Sequence, residues 1–107
     1  MTIISSAIPL IALTEIQKDE IKSVDKDGIH FLVISQNDDI YVVEDRCGHF
    51  GVSMKEGSVR DKCIRCPAHG AKFHLESGEL LNDLFEDCDP INVFLWQKKD
   101  GWLEVII

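Results

Sequence analysis

Positive charge is scarce in this 107-residue chain. Eleven Lys and Arg face nineteen Asp and Glu, for a formal charge of −8 and a pI near 4.8. A surface of that sign repels nucleic acid and anionic lipid, which argues against nonspecific binding to either. Long apolar runs are missing as well. A membrane-crossing helix needs about 18 or more apolar residues in succession, yet the longest uncharged stretch is Met1 to Thr14, broken by Ser5, Ser6 and Pro9. No basic residue precedes Lys18, so the start lacks the positive head of a secretory signal. There is no internal repeat, low-complexity tract or linker, and no 11-residue window sustains a 3.6-residue period. Helix content should be low. The expectation is a soluble, cytoplasmic protein forming one domain over 1–107; at 12.1 kDa, 45% apolar and 28% charged, the chain has enough length for one modest core.

The recurring feature is short β-type runs separated by turn residues. Ile8 to Leu13 reads as a first strand, with Thr14 placed to cap a helical turn through Lys18. Ile21 to Val24 reads as a weak strand closed by Asp25-Lys26-Asp27-Gly28. Ile29 to Ser35 and Ile40 to Glu44 form a hairpin around Asn37-Asp38-Asp39. Ile91 to Gln97 and Trp102 to Ile107 form another, with the turn signal Asp100-Gly101 between them. Trp96 and Trp102 flank that turn as core or cross-strand partners. The expected class is all-β.

The middle of the chain departs from both ends. Between Arg46 and Lys72 stand six basic residues and two acids, a net of +4, so the remainder carries −12. Glycines gather there too, at 48, 51, 57 and 70, where bare backbone can approach a buried ion or cluster. So do the soft ligands. Cys47-Gly48-His49 is separated by sixteen residues from Cys66-Pro67-Ala68-His69. Thiolate sulfur and imidazole nitrogen both suit zinc and iron. Each pair is too short to complete a site, so two loops must converge. The remaining cysteines, Cys63 and Cys88, leave two alternatives open. Cys63-x-x-Cys66 with His49 or His69 could bind structural zinc, and Cys63 could pair with Cys88, although a reducing compartment disfavours a disulfide. On the simplest reading Cys63 is a small strand residue and Cys88 a buried thiol. His30 and His74 are surface or packing residues.

Cys-x-His, a spacer of this length and Cys-Pro-x-His-Gly resemble the Rieske iron–sulfur signature. Gly51, Phe73 and Ser77-Gly78-Glu79 agree with it, so the match spans about Arg46 to Glu79. The resemblance implies a Rieske fold: small antiparallel sheets with a two-loop cluster-binding subdomain at about 45–75. It also implies one 2Fe–2S cluster, with Cys47 and Cys66 on one iron and His49 and His69 on the other. Two ferric ions, two sulfides and two thiolates sum to zero, so reduction reaches only −1. Four thiolates would start at −2, which is why imidazole ligation raises the potential.

The high-potential, membrane-complex branch of the family differs in specific positions. Its extra disulfide would need cysteines where this chain has Val52 and Ala68, and its hydroxyl donors correspond to Ala71 and Phe73. Each missing donor removes stabilisation of the reduced cluster. The chain is closer to the low-potential ferredoxins of ring-hydroxylating oxygenases. The implied role is one-electron transfer from a flavin-dependent ferredoxin reductase to a terminal oxygenase component, by a monomer with no substrate chemistry of its own. No separate His-His-carboxylate triad for a mononuclear iron stands outside these motifs. A small subunit resembling that of nitrite reductase is the alternative within the family. The acidic stretch Glu76 to Asp89 reads as a solvated loop, with Pro90 the counterpart of a family turn that covers the cluster.

Overall fold

A computed structural model describes residues 7–46, 53–67, 70–81 and 89–106. Nine strands run through them: β1 (Ala7–Ala12), β2 (Ile21–Lys26), β3 (Ile29–Gln36), β4 (Asp39–Glu44), β5 (Ser58–Arg60), β6 (Cys63–Arg65), β7 (Lys72–His74), β8 (Leu95–Lys99) and β9 (Trp102–Ile106). They form three antiparallel three-stranded sheets, ordered β1-β9-β8, β2-β3-β4 and β5-β6-β7. Among the described residues the only helical element is the 3₁₀ turn Leu13–Glu15. The all-β expectation holds.

The β2-β3-β4 sheet is the middle layer. Four consecutive apolar residues of β3 are buried, and strand alternation sends them to opposite sides. Phe31 and Val33 join Leu10, Ile11, Val42, Leu103 and Val105 in a core against the β1-β9-β8 sheet. Leu32 and Ile34 join Val43, Met54, Ile64, Cys66, Ala71, Phe73, Leu75 and Ile91 in a second core against β5-β6-β7. A strand covered on both faces carries no polar alternation, which is why β3 reads as an unbroken apolar run.

Four hairpins close through two-residue turns with both central φ values positive: Asp27-Gly28, Asn37-Asp38, Asp61-Lys62 and Asp100-Gly101. That is the signature of the I′ turn, whose twist matches its strands. Pro9 has no N–H to give, and the β1–β9 register slips between Pro9 and Ile11. The slip turns two successive side chains, Leu10 and Ile11, into the core.

Several local expectations need correction. Thr14 lies inside the 3₁₀ turn and caps nothing; the turn ends at Glu15 because Ile16 takes an extended backbone (φ −92°, ψ 111°), its N–H closing the turn on Leu13 O. The strand expected from Ile91 splits. Residues 92–94 pair with the free edge of β4, through Glu44 N–H to Asn92 O and Phe94 N–H to Val42 O (both 2.9 Å). Only from Leu95 does the chain cross to β9. As expected of core or cross-strand residues, Trp96 packs on the first core and Trp102, 44% exposed, stands in register opposite Ala12 and Lys99.

Candidate metal centre

Two segments carry the ligand motifs: the first, 46–52, follows β4 in sequence, and the second, 66–71, connects β6 to β7. Cys47, His49 and His69 lie outside the described residues, as does Cys88. The roots of both loops are described. Met54, just past the first loop, is fully buried in the same core as Cys66 and Ala71, the two ends of the second. The sequence required two loops to converge, and their roots do so on one apolar cluster.

Backbone bonds close the second loop. Cys66 N–H donates to Ala71 O (2.7 Å) and Gly70 N–H donates to Cys66 O (3.0 Å). Gly70 has φ +80°, a conformation glycine adopts without steric cost. A side-chain carboxylate closes the first. Asp45, itself buried, accepts Met54 N–H at 2.8 Å and Ser53 Oγ at 2.8 and 3.0 Å. Ser23 Oγ of β2 reaches the same carboxylate at 3.3 Å, and Asp45 N–H donates to His30 O at 2.7 Å. Sequence reasoning missed Asp45 and Ser53; an acid two residues before the first cysteine was the available signal.

Cys66 and Cys63 part company in the fold. Cys66 is 2% exposed and sits among Met54, Ile64, Ala71 and Phe73. Cys63 lies on the opposite face of β6, with its Sγ near Asp61 O (3.4 Å), beneath a groove of about 220 Å³ lined by Ser58, Arg60, Asp61, Arg65 and Lys72. Residues three apart on a strand point to opposite faces, so this pair does not make a zinc knuckle. Cys63 is a free, buried thiol. Among the described residues no three His, Cys, Asp or Glu groups gather around one point.

Three residues of the basic stretch, Arg60, Arg65 and Lys72, line the groove on the outer face of β5-β6-β7, where Arg65 stands opposite Lys72 in register. Part of the stretch is paired internally. Lys62 Nζ meets Glu76 Oε1 at 3.3 Å, and that carboxylate raises the lysine above its ordinary range, while Arg60 meets Asp61 only at 3.8 Å. His30 Nδ1 lies 2.7 Å from Asp25 Oδ1, both well exposed, and donating a hydrogen bond to that carboxylate raises the imidazole above its usual value. His74 Nδ1 accepts Glu76 N–H at 3.2 Å. His30 is exposed, as expected of a surface residue, and both histidines have partners outside the ligand motifs.

The donor set suits an iron–sulfur group. A buried thiol on an apolar floor, beside a tight glycine turn, offers a low-dielectric place for a cluster that is neutral when oxidised. A sequence profile described as the Rieske [2Fe-2S] domain matches residues 6–103. The chain belongs to that family, and its cofactor is a 2Fe–2S cluster. It is 31% identical over 70 residues to the 3-phenylpropionate/cinnamic acid dioxygenase ferredoxin subunit of Photorhabdus laumondii, covering 64% of this chain and 65% of that one. It is 30% identical over 82 residues to cholesterol 7-desaturase nvd of Hemicentrotus pulcherrimus, covering 75% of this chain but only 18% of that protein. In a solved complex of reduced oxygenase and oxidised ferredoxin from carbazole 1,9a-dioxygenase, one chain superposes with TM-score 0.79 at 28% identity, over 92% of this chain and 91% of that one. Among the described residues no helix is long and apolar enough to cross a membrane.

Proposed function

We propose that the chain is a one-electron carrier of the ferredoxin kind: a monomeric, cytoplasmic single domain over 1–107 whose 2Fe–2S cluster is held in a subdomain at about 45–75. Cys47 and Cys66 ligate one iron, His49 and His69 the other. The observation that carries this reading is the shared root of the two ligand loops, with Met54, Cys66 and Ala71 in one buried cluster. The cluster supplies a one-electron couple between a neutral and a singly negative state. The chain's part is to keep water from the thiolate side, through the buried Cys66. Its donor is a flavin-dependent ferredoxin reductase and its acceptor the terminal component of an oxygenase. The similarity to a dioxygenase ferredoxin subunit, and to a chain solved in complex with an oxygenase, supports that placement.

Visible absorption and low-temperature EPR of anaerobically purified protein test the metal, and alanine variants test the ligands. Replacing Cys47, His49, Cys66 or His69 should strip the cluster, whereas Cys63→Ser and Cys88→Ser should keep it. Iron lost from the Cys63 variant and retained by the Cys47 variant would overturn the assignment.

A further inference from the structure

The two ligand loops are closed by different chemistry. The ends of the second are joined by the backbone bonds Cys66 N–H to Ala71 O and Gly70 N–H to Cys66 O. The first uses Asp45, which is about nine-tenths buried. Burying a carboxylate costs several kcal/mol before its bonds are counted, so stability alone is a poor reason to place one there. Its bonds explain it better. Each contact that carboxylate makes is a donor aimed at an acceptor-only group, and two of the donors, Ser53 Oγ and Met54 N–H, belong to the residues immediately after the loop. Asp45 is the residue immediately before it. One side chain therefore pins both ends of 46–52, the segment that contains Cys47 and His49. Ser53 Oγ also accepts Lys55 N–H at 3.2 Å, which holds the turn beyond. Met54, the next residue, is anchored at 0% exposure in the core it shares with Cys66. A continuous path thus runs from Asp45 through Met54 to the root of the other ligand loop.

We propose that Asp45 is a positioning residue for the cluster: its carboxylate fixes the span of the first ligand loop and so sets where Cys47 and His49 stand relative to Cys66 and His69. The proposal rests on the ligand reading above. It assigns Asp45 no contact with iron or sulfide and no proton to carry. Ser53 is its working partner, because that hydroxyl makes the clamp two-pronged. Ser23, by contrast, ties Asp45 to β2 and spans no loop. The clamp and a general contribution to stability can therefore be separated by experiment.

The test uses the cluster-loaded full chain and follows iron release to a chelator, the EPR line shape of the reduced protein and the melting temperature. Outer-shell partners of metal ligands typically alter metal retention about 10–100-fold. Asp45→Ala should release iron at least tenfold faster and broaden the EPR signal. Ser53→Ala should do the same to a lesser degree. Asp45→Asn keeps an oxygen for Met54 N–H, so it should stay within a few-fold of the parent. Ser23→Ala should leave release and line shape unchanged, whatever it does to melting. If Asp45→Ala fails to fold, the Ser53 and Ser23 variants still decide. Equal acceleration in both serine variants, or parental release and line shape in Asp45→Ala and Ser53→Ala, overturns the proposal. Cys47→Ala separates the two levels. If it keeps its cluster, the ligand reading fails; if it loses the cluster while the Asp45 and Ser53 variants behave as the parent, only the clamp fails.

Discussion

Replacing Gly78 by Ala should unsettle the floor of the cluster site from a position that is no ligand. Gly78 has φ +80°, and a Cβ built on it would stand 2.0 Å from the carbonyl oxygen of Ile91. Its own carbonyl accepts Ile91 N–H at 3.0 Å. Ile91 is 4% exposed in the core that holds Cys66 and Phe73. Three costs follow from that geometry. The left-handed backbone costs a residue with a Cβ about 1–2 kcal/mol. Driving the Ile91 carbonyl away breaks the bond to Gly78, worth about 1 kcal/mol. Partial loss of Ile91 packing adds about 1 kcal/mol, comparable to removing one buried methyl group. The sum is about 3–4 kcal/mol, which for a domain of this size lowers Tm by roughly 12–20 °C. Gly28→Ala is the control, since Gly28 has φ +78° with nothing within 4 Å of the added carbon. It should cost only the backbone part, about 1–2 kcal/mol. Thermal melts of both loaded variants, followed by far-UV circular dichroism and by visible absorption, measure the difference. The reasoning is refuted if Gly78→Ala melts no lower than Gly28→Ala.

Three further outcomes are expected. Ala71 and Phe73 are both fully buried in the core of Cys66, so Ala71→Ser and Phe73→Tyr can add hydroxyl donors near the thiolate side and should raise the midpoint, by about 60 mV for each tenfold preference for the reduced state. The parent should sit near the low end of the Rieske range, roughly −150 mV; a parent midpoint well above zero contradicts this. The hydrogen bond that His30 donates to Asp25 raises its titration, so the pair stabilises the fold fully below about pH 6.5 and loses that contribution as pH climbs through the raised value. In Asp25→Asn, NMR should find His30 titrating lower; an unchanged titration refutes the pairing, and because both side chains are 67% exposed, added salt should shrink the effect. Charge reversal at the exposed Lys55 and Arg65 should slow electron delivery to the acceptor at low salt and matter less as screening tightens to about 10 Å at 0.1 M. Equal rates at low salt would remove those residues from docking.

Much of this protein is written in local sequence. Asp-Gly at 27–28 and 100–101 demands left-handed backbone at both turn positions, and the hairpins form there. The apolar run through β3 needs a strand, and the paired Cys-x-His and Cys-Pro-x-His motifs need two loops brought together. These are short-range facts, since turn geometry and ligand chemistry are properties of a few adjacent residues. Tertiary structure decided the rest. That Phe31 and Leu32 serve different cores depends on which sheets cover β3. That residues 92–94 dock on β4 before β8 crosses to β9 depends on an edge left open 48 residues earlier. Lys62 takes a left-handed turn position that its own preference opposes, because β5 and β6 pair on either side of it. Cys63 and Cys66, three apart in sequence, separate onto a basic outer face and an apolar floor. Asp45 is one of nineteen acids until Ser53 and Met54 are folded back onto it. Local preferences cost little to satisfy and are readable residue by residue. Burial is a property of surfaces that meet only once the chain has closed, and burial decides which of these residues hold the site.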